Sequence, residues 1–314
     1  MGDHTLSPAK IPGAIVMKRI LKALGYLVLG IVLLIAIGVG TAYAITSSRL
    51  NKTYPTQVES VPVNSDPATI ERGRHLVQSV GKCVDCHGAN LNGTRMMDSP
   101  VFMRLTAPNL TAGGGGVGAS YTDADWVRSI RYGVGRDGKP LIFMPSEAFT
   151  ALSDIDLGAM ISYLKSVPPA DAAAEPARAP GPIARIIYLV GDFPLIPAEM
   201  IDRTKARPHV TPGVTVEYGK YLSESGGCTS CHLPNLAGGA KMDNAVSTNL
   251  TPGGPLKNWT EEDFFRAIRT GTRPDGSKIA EEMPWKSMAG LSDDELRATW
   301  MFLRSVPPVA EVKK

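Results

Sequence analysis

The sequence has little cysteine and almost no net charge. Four cysteines in 314 residues are far too few for a secreted scaffold held together by disulfides. Lysine and arginine total 33 against 30 acidic residues, and residues 1–46 contain four of those bases but one acid, so the remainder is neutral. A neutral remainder offers no electrostatic footprint for nucleic acid, and we exclude that class of partner. The length suggests two domains of ordinary size.

One long apolar run stands near the N-terminus. Residues 23–45 carry no charge and are long enough to cross a hydrocarbon core of about 30 Å. Lys18, Arg19 and Lys22 precede the run, and this excess of positive charge predicts that residues 1–22 form a cytoplasmic tail. We therefore expect a single-pass anchor at residues 23–46 in a bacterial inner membrane, with all later residues on the periplasmic side.

A cleaved secretory signal is the alternative for this run. Ala42-Tyr43-Ala44 has the small-x-small form of a cleavage site. The apolar core of a signal peptide usually has about 7–15 residues, and this run is longer. Its length favours an anchor that is retained.

The rest of the chain contains an internal repeat. Cys83-Val84-Asp85-Cys86-His87 returns as Cys228-Thr229-Ser230-Cys231-His232. Four more pairs follow in the same order: Pro108-Asn109-Leu110-Thr111 with Thr248-Asn249-Leu250-Thr251, Met144-Pro145 with Met283-Pro284, Leu152-Ser153-Asp154 with Leu291-Ser292-Asp293, and Ser166-Val167-Pro168-Pro169 with Ser305-Val306-Pro307-Pro308. Five matched landmarks indicate a duplicated module. We predict domains at residues 55–169 (the first copy) and 208–314 (the second copy).

Local signals predict that both copies are all-α. In each copy, two residue pairs have the spacing of a capping box, and each pair opens one helix. A glycine suited to a left-handed backbone ends the first of these two helices. These residues are Thr122 with Asp125, Ser153 with Asp156 and Gly133 in the first copy, and Thr260 with Asp263, Ser292 with Glu295 and Gly271 in the second. No segment alternates well enough to predict a strand.

Residues 170–207 separate the two copies. The first part, up to residue 182, is rich in alanine and proline and predicts a semi-rigid linker. Residues 183–201 are apolar but interrupted by Arg185, Asp192 and two prolines, which argues against a second membrane span. We expect this part to be a strap packed on one or both domains, and membrane contact is the weaker alternative.

The repeated cysteine motif indicates covalent haem. Cys-x-x-Cys-His is the attachment signature of c-type haem, in which two thiols one helical turn apart form thioethers and the adjacent histidine binds iron. A redox dithiol and a zinc site are the alternatives, but zinc needs four ligands and no further Cys/His pair stands nearby. Two copies that contain every cysteine of the chain therefore predict two haem c groups, on Cys83, Cys86 and His87 and on Cys228, Cys231 and His232.

The sixth iron ligand decides what each haem can do. A thioether closes the iron to substrate and raises its reduction potential. Met144 and Met283, each followed by proline ahead of the last helix, are the predicted ligands. Met97 and Met242 also correspond in the repeat, but we expect them on the histidine side of the haem.

These motifs together resemble class I cytochrome c. The second copy, with Thr248-Asn249-Leu250-Thr251-Pro252, Trp259-Thr260 and Met283-Pro284-Trp285, is similar to the cytochrome subunits of membrane-bound alcohol and aldehyde dehydrogenases. Those subunits usually carry three such modules, and this chain carries two. The resemblance implies two tandem class I cytochrome c-like domains after the N-terminal helix.

The resemblance also implies roles around each haem. The carbonyl before Asn-Leu accepts a hydrogen bond from the iron-binding imidazole, which points to Pro108 and, in the second copy, to Thr248. Arg131 and Arg269 share one repeat position and are candidates for pairing with haem propionates, the alternative being two exposed helical arginines.

We therefore expect an electron carrier with no catalytic residue and no small-molecule substrate. Its partners would be a donor and an acceptor protein, including a membrane oxidoreductase complex of a respiratory or dehydrogenase-linked chain. A dihaem peroxidase is the enzymatic alternative and requires one iron with an open sixth site. A third alternative is a structural module in which haem only stabilises the fold, and this alternative leaves the paired methionines unexplained.

Overall fold

The chain begins with one long helix. The computed structural model describes residues 12–191, 193–203, 207, 209–242 and 245–310. Helix α1 (Pro12–Asn51) contains the predicted anchor and runs beyond it at both ends, because no proline interrupts residues 13–51. It is the one helix of the described residues that is long and apolar enough to cross a membrane, and its apolar stretch is not buried in the protein.

The elements of the two copies follow the same order. The first copy contains α2 (Pro67–His75), continued by a π-helical turn (Leu76–Val80), then α3 (Cys83–His87), β1 (Thr94–Asp98), β2 (Met103–Ala107), α4 (Asp123–Tyr132), α5 (Ser146–Phe149) and α6 (Asp154–Ser166). The segment between the copies contains β3 (Arg178–Pro180), α7 (Pro182–Val190) and a 3-10 turn (Pro197–Glu199). The second copy contains α8 (Val216–Ser225), α9 (Cys228–His232), β4 (Lys241–Met242), β5 (Ala245–Val246), a 3-10 turn (Pro255–Asn258), α10 (Glu261–Thr270), α11 (Trp285–Met288) and α12 (Asp293–Ser305).

The first and last helices of each copy cross at a glycine. A Cβ atom on Gly73 of α2 would lie 1.9 Å from the carbonyl oxygen of Ala159 in α6. A Cβ atom on Gly219 of α8 would lie at the same 1.9 Å from the carbonyl oxygen of Ala298 in α12. Such a separation is impossible for any side chain, so both helix pairs depend on glycine for their close approach.

The predicted helix signals are present. Thr122, Thr260 and Ser292 form full capping boxes, and Gly133 and Gly271 end α4 and α10 with φ of 62° and 64°. Ser153 also caps its helix. The carboxylate of Asp156, three residues later, does not bind the helix end but contacts Arg72 and Tyr221, the latter in the second copy.

The prediction of an all-α fold is wrong in detail. Strands β1, β2 and β3 form a three-stranded antiparallel sheet, and β4 pairs with β5. In β2 the side chains of Met103, Leu105 and Ala107 are buried, whereas Arg104 is exposed. This alternation is that of a half-buried strand, and it covers only five residues.

The segment predicted to be a semi-rigid linker lies on the first copy. The amide of Ala172 donates to Gly114, 2.8 Å away, and the amide of Ala173 donates to Asn92, 2.9 Å away. Strand β3 then extends the sheet, and α7 packs against α1. Beyond α7, Leu195 is completely buried in the core. Asp192, one of the residues that interrupts the predicted strap, lies outside the described residues.

Candidate haem-binding site

Each cysteine motif forms a single helical turn. In α3 and α9 the two cysteines stand three residues apart, and a residue with left-handed backbone precedes each helix: Lys82, with φ of 51°, and Gly227, with φ of 73°. Three residues are close to one turn of helix, so both sulfurs of a pair are on one face. None of the described cysteines forms a disulfide.

The histidines of both motifs are buried and oriented by backbone carbonyls. His87 is 8% exposed and His232 is 7% exposed. The Nδ1–H of His87 donates to the carbonyl of Pro108 at 2.8 Å, and that of His232 donates to Thr248 at 2.7 Å. Burial lowers the pKa of both imidazoles, and these hydrogen bonds oppose it in part. With Nδ1 protonated, Nε2 is left as the nitrogen that can bind a metal.

One cavity of about 810 Å³ joins both motifs. Its lining is mostly apolar and includes residues from both copies. All six motif residues line it, together with the two predicted sixth ligands: Cys83, Cys86, His87, Met144, Cys228, Cys231, His232 and Met283. The structure thus brings the four cysteines, both histidines and both methionines to one connected space.

Of the rival methionines, Met97 does not share this arrangement. Met97 pairs with Leu105 across the sheet and is absent from the cavity lining. Its neighbour Met96, which lies in the bulge of β1 between Arg95 and Met97, does line the cavity. Met242 belongs to β4, and its side chain lies outside the described residues. The neighbour Met96 was not singled out from the sequence, because a bulge that changes which side chain faces inward leaves no sequence signal.

The cavity residues fit a haem group. Trp126 lines the cavity, is 2% exposed, and its Nε1 has no hydrogen-bond partner among the described residues. A buried donor without a partner is costly, and a haem carboxylate would supply an acceptor. The thiols of each pair would hold the porphyrin through thioethers, and the histidines would bind the iron.

The two arginine candidates lie away from the cavity lining. Arg131 is completely buried, and its guanidinium binds the carboxylates of Glu59 and Asp154 and the carbonyl of Leu152. Arg269 binds the Asp293 carboxylate at 2.7 Å.

Two other arginines line the cavity, Arg178 of β3 and Arg273 after α10. Arg178 and Arg273 do not correspond in the repeat, so repeat analysis could not find them.

The two copies meet through a buried network of polar side chains. Arg72 binds Asp156 of its own copy at 3.0 Å and Glu295 of the second copy at 3.3 Å. Across the interface, Nε2 of His75 lies 2.7 Å from Glu295, and the hydroxyl of Tyr221 donates to Asp156 at 2.6 Å. His75 corresponds to Tyr221 in the repeat, and Asp156 to Glu295, so the two contacts are equivalents related by pseudo-two-fold symmetry.

The same interface lies beside both haem motifs. Helix α5, which follows Met144, packs against α8, and a Cβ atom on Gly227 would lie 3.5 Å from that of Ala148. Helix α11, which follows Met283, packs against the π-helical turn ahead of Cys83. Each methionine loop therefore leads directly into a helix that contacts the other copy.

Comparison with known proteins agrees with this geometry. Residues 70–168 match the family model described as cytochrome c. The chain is 29% identical over 287 residues to the cytochrome c subunit of a quinone alcohol dehydrogenase from Gluconobacter oxydans, which covers 80% of this chain. It is 27% identical over 295 residues to a fructose dehydrogenase cytochrome subunit from Gluconobacter japonicus, which covers 85% of this chain.

The chain spans 57% of the length of each of those two relatives. A diheme cytochrome c-type protein of Cereibacter sphaeroides is 25% identical over 288 residues, which are 79% of this chain and 92% of that protein. Residues 70–168 are therefore a cytochrome c domain, in a chain that is similar over most of its length to cytochrome subunits of dehydrogenases and to a diheme cytochrome c.

Proposed function

We propose that this chain is a membrane-tethered dihaem electron carrier. It relays single electrons between a donor and an acceptor and converts no small-molecule substrate. The observation that carries this proposal is the shared cavity, which both cysteine motifs line together with Met144 and Met283. Two domains, at residues 55–169 and 208–314, each hold one haem c.

The residues of the chain bind, orient and shield the haem groups. Bound haem supplies a reversible one-electron change at iron. The hydrogen bonds to Pro108 and Thr248 fix the ring orientation of the two histidines and make Nε2 a stronger ligand. Met144 and Met283 would supply thioether ligands to bound haem iron, which would keep each iron closed to substrate and raise its potential.

A dehydrogenase is the donor class that the relatives support. The alcohol and fructose dehydrogenase relatives are named as cytochrome subunits of those enzymes. By this proposal the chain is a redox partner within an oxidoreductase complex. The peroxidase alternative draws no support from these relatives.

Helix α1 is the proposed anchor. Its length and composition suit a single span of the inner membrane, and the bases ahead of it favour a periplasmic location for both haem domains. A retained anchor would keep the protein in membranes after a high-salt wash, with an N-terminus at or near Met1. An N-terminus near residue 45 would indicate a cleaved signal.

The experiment that tests the carrier function counts and titrates the haems. We expect the intact mass to exceed that of the peptide by two haems, and both irons to be low-spin in the ferric state and reducible by ascorbate. Addition of hydrogen peroxide with a reduced dye should give no turnover. A single haem would overturn the dihaem assignment, and a high-spin iron with peroxide turnover would replace the carrier with a peroxidase.

A further inference from the structure

Helix α7 lies beside the C-terminal end of α1. The guanidinium of Arg185 sits 4.2 Å from the ring centroid of Tyr43 and donates to the hydroxyls of Thr46 and Ser47, the latter at 3.1 Å. Three residues further along α7, the hydroxyl of Tyr188 accepts from Arg49 at 3.2 Å. Helix α7 is therefore fixed at the level of residues 43–49, where the apolar run of α1 ends.

The charge of α7 points toward α1. Arg185 is the one charged residue in Pro182–Val190, and it is only 8% exposed. The guanidinium also donates from Nε to the carbonyl of Pro180 at 3.0 Å and from a terminal nitrogen to the carbonyl of Tyr43 at 3.5 Å. The outward side of the helix consequently carries no charge.

That outward side is apolar. Ile183, Ile186 and Val190 are 45%, 43% and 68% exposed, and their spacing of three and four residues puts them on one face. A contiguous apolar face on a folded domain marks an interaction site. At the same level of α1, against which α7 packs, Tyr43 and Ile45 are 38% and 41% exposed.

We propose that α7 is a second membrane contact. It lies in the membrane–water interface on the periplasmic side, with Ile183, Ile186 and Val190 at the boundary of the acyl chains. This inference rests on the proposed anchor, since α1 brings the bilayer to α7. The occupant is lipid because the face adjoins a helix whose own exposed surface is lipid-facing. A helix with an apolar face and a tyrosine at its edge suits this position.

The contact has a consequence for the haem domains. Strand β3 ends at Pro180, one residue before the N-cap of α7, and pairs with β2, which ends at Ala107. Pro108, the hydrogen-bond acceptor of His87, follows directly. The sheet therefore ties the first haem site to the membrane surface, so the first copy is the one nearer the bilayer.

Spin labels on the full-length holoprotein test this placement. Haem attachment consumes the native thiols, so a new cysteine can be labelled alone. Ile186→Cys would be compared with Leu34→Cys, within the apolar run of α1, and Lys220→Cys, exposed on α8. The proteins would be reconstituted in vesicles of phosphatidylethanolamine and phosphatidylglycerol. Collisional accessibility to oxygen and to a water-soluble nickel chelate would be measured by electron paramagnetic resonance.

We expect the oxygen-to-nickel ratio at position 186 to exceed that at position 220 several-fold and to approach that at position 34. A water-like ratio at 186 beside a lipid-like ratio at 34 would overturn the inference and leave the anchor intact. A water-like ratio at 34 would instead refute the anchor. Shielding of 186 from both reagents would mean that a second copy of the chain covers the face. Val190→Cys provides an independent label position on the same face.

Discussion

The ammonium nitrogen of Lys82 donates a hydrogen bond to the carbonyl oxygen of Gly226, 2.6 Å away in the other copy. A second hydrogen bond, of 2.8 Å, joins it to Val80. Lys82 directly precedes Cys83, and Gly226 stands two residues before Cys228, so this contact links the two haem attachment sites. Lys82 adopts a left-handed backbone where the second copy has glycine, which a lysine does only at some cost.

The position of Lys82 predicts an effect on haem potentials. A positive charge beside a haem favours the reduced iron, so Lys82→Gln should lower the midpoint potential of at least one haem by on the order of 60 mV, a tenfold change in a one-electron equilibrium. Potentiometric titration followed at the haem absorption bands measures this.

Lys220→Gln, which removes an exposed lysine of α8, is the matched control and should leave both potentials nearly unchanged. Burial lowers the pKa of the Lys82 ammonium. If Lys82→Gln also leaves the potentials unchanged, the Lys82 amine is neutral in the folded protein and the prediction is wrong.

Arg72 is predicted to be essential for docking of the two copies. Arg72→Ala would leave the buried carboxylates of Asp156 and Glu295 without their shared cation, which should reduce the free energy of unfolding by about 3–5 kcal/mol. Arg74→Ala, two residues away, removes an exposed ion pair with Glu71 and an exposed hydrogen bond to Gln78, and should cost less than about 1 kcal/mol. Urea unfolding followed by circular dichroism compares them, and equal losses would contradict the assignment.

The Glu295 carboxyl predicts a loss of stability in acid. Burial alone would raise its pKa, but the hydrogen bond and charge of His75 and the charge of Arg72 outweigh burial and lower the pKa to about 2. Because the folded pKa is below that of the unfolded chain, this stabilisation is complete above about pH 4.5. It disappears as pH falls toward 2, with a total of roughly 3 kcal/mol.

Unfolding free energies measured at several pH values test this dependence. Glu295→Gln should lower stability at neutral pH and flatten the slope between about pH 4.5 and 2. An unchanged slope in that variant would show that other carboxyl groups cause the acid sensitivity.

Met144 and Met283 are predicted to be the sixth ligands. Replacing either with Ala should remove about half of the near-infrared sulfur-to-iron band of the ferric protein and leave one high-spin iron that binds added ligands. The midpoint potential of that haem alone should fall. Met97→Ala is the control, because Met97 pairs within the sheet, and it should keep both bands. Loss of a band in the control would reverse the ligand assignment.

The motifs and helix ends could be read from the sequence because they depend on residues close together in the chain. A Cys-x-x-Cys-His turn and a capping box such as Thr122 with Asp125 need no distant partner. The repeat also aligned His75 with Tyr221, the two residues that make equivalent contacts across the interface.

Features that depend on distant partners could not be read in this way. The alternation of the buried residues Met103, Leu105 and Ala107 is too short to predict a strand. Strand β3, which pairs with this strand, lies over 70 residues later in the sequence. Alanine and proline in residues 170–182 suggested a linker because composition does not reveal that Gly114 and Asn92 offer carbonyl acceptors. The acidic partner Glu59 of Arg131 likewise lies far away in the sequence.

The shared cavity also makes the two haem sites depend on each other. Its lining comes from both copies and includes both cysteine motifs, together with Ala148 of α5 and Met288 of α11, the two short helices that contact the opposite copy. Separation of the copies would therefore open the cavity at both motifs at once, so neither haem would be shielded from water independently of the other.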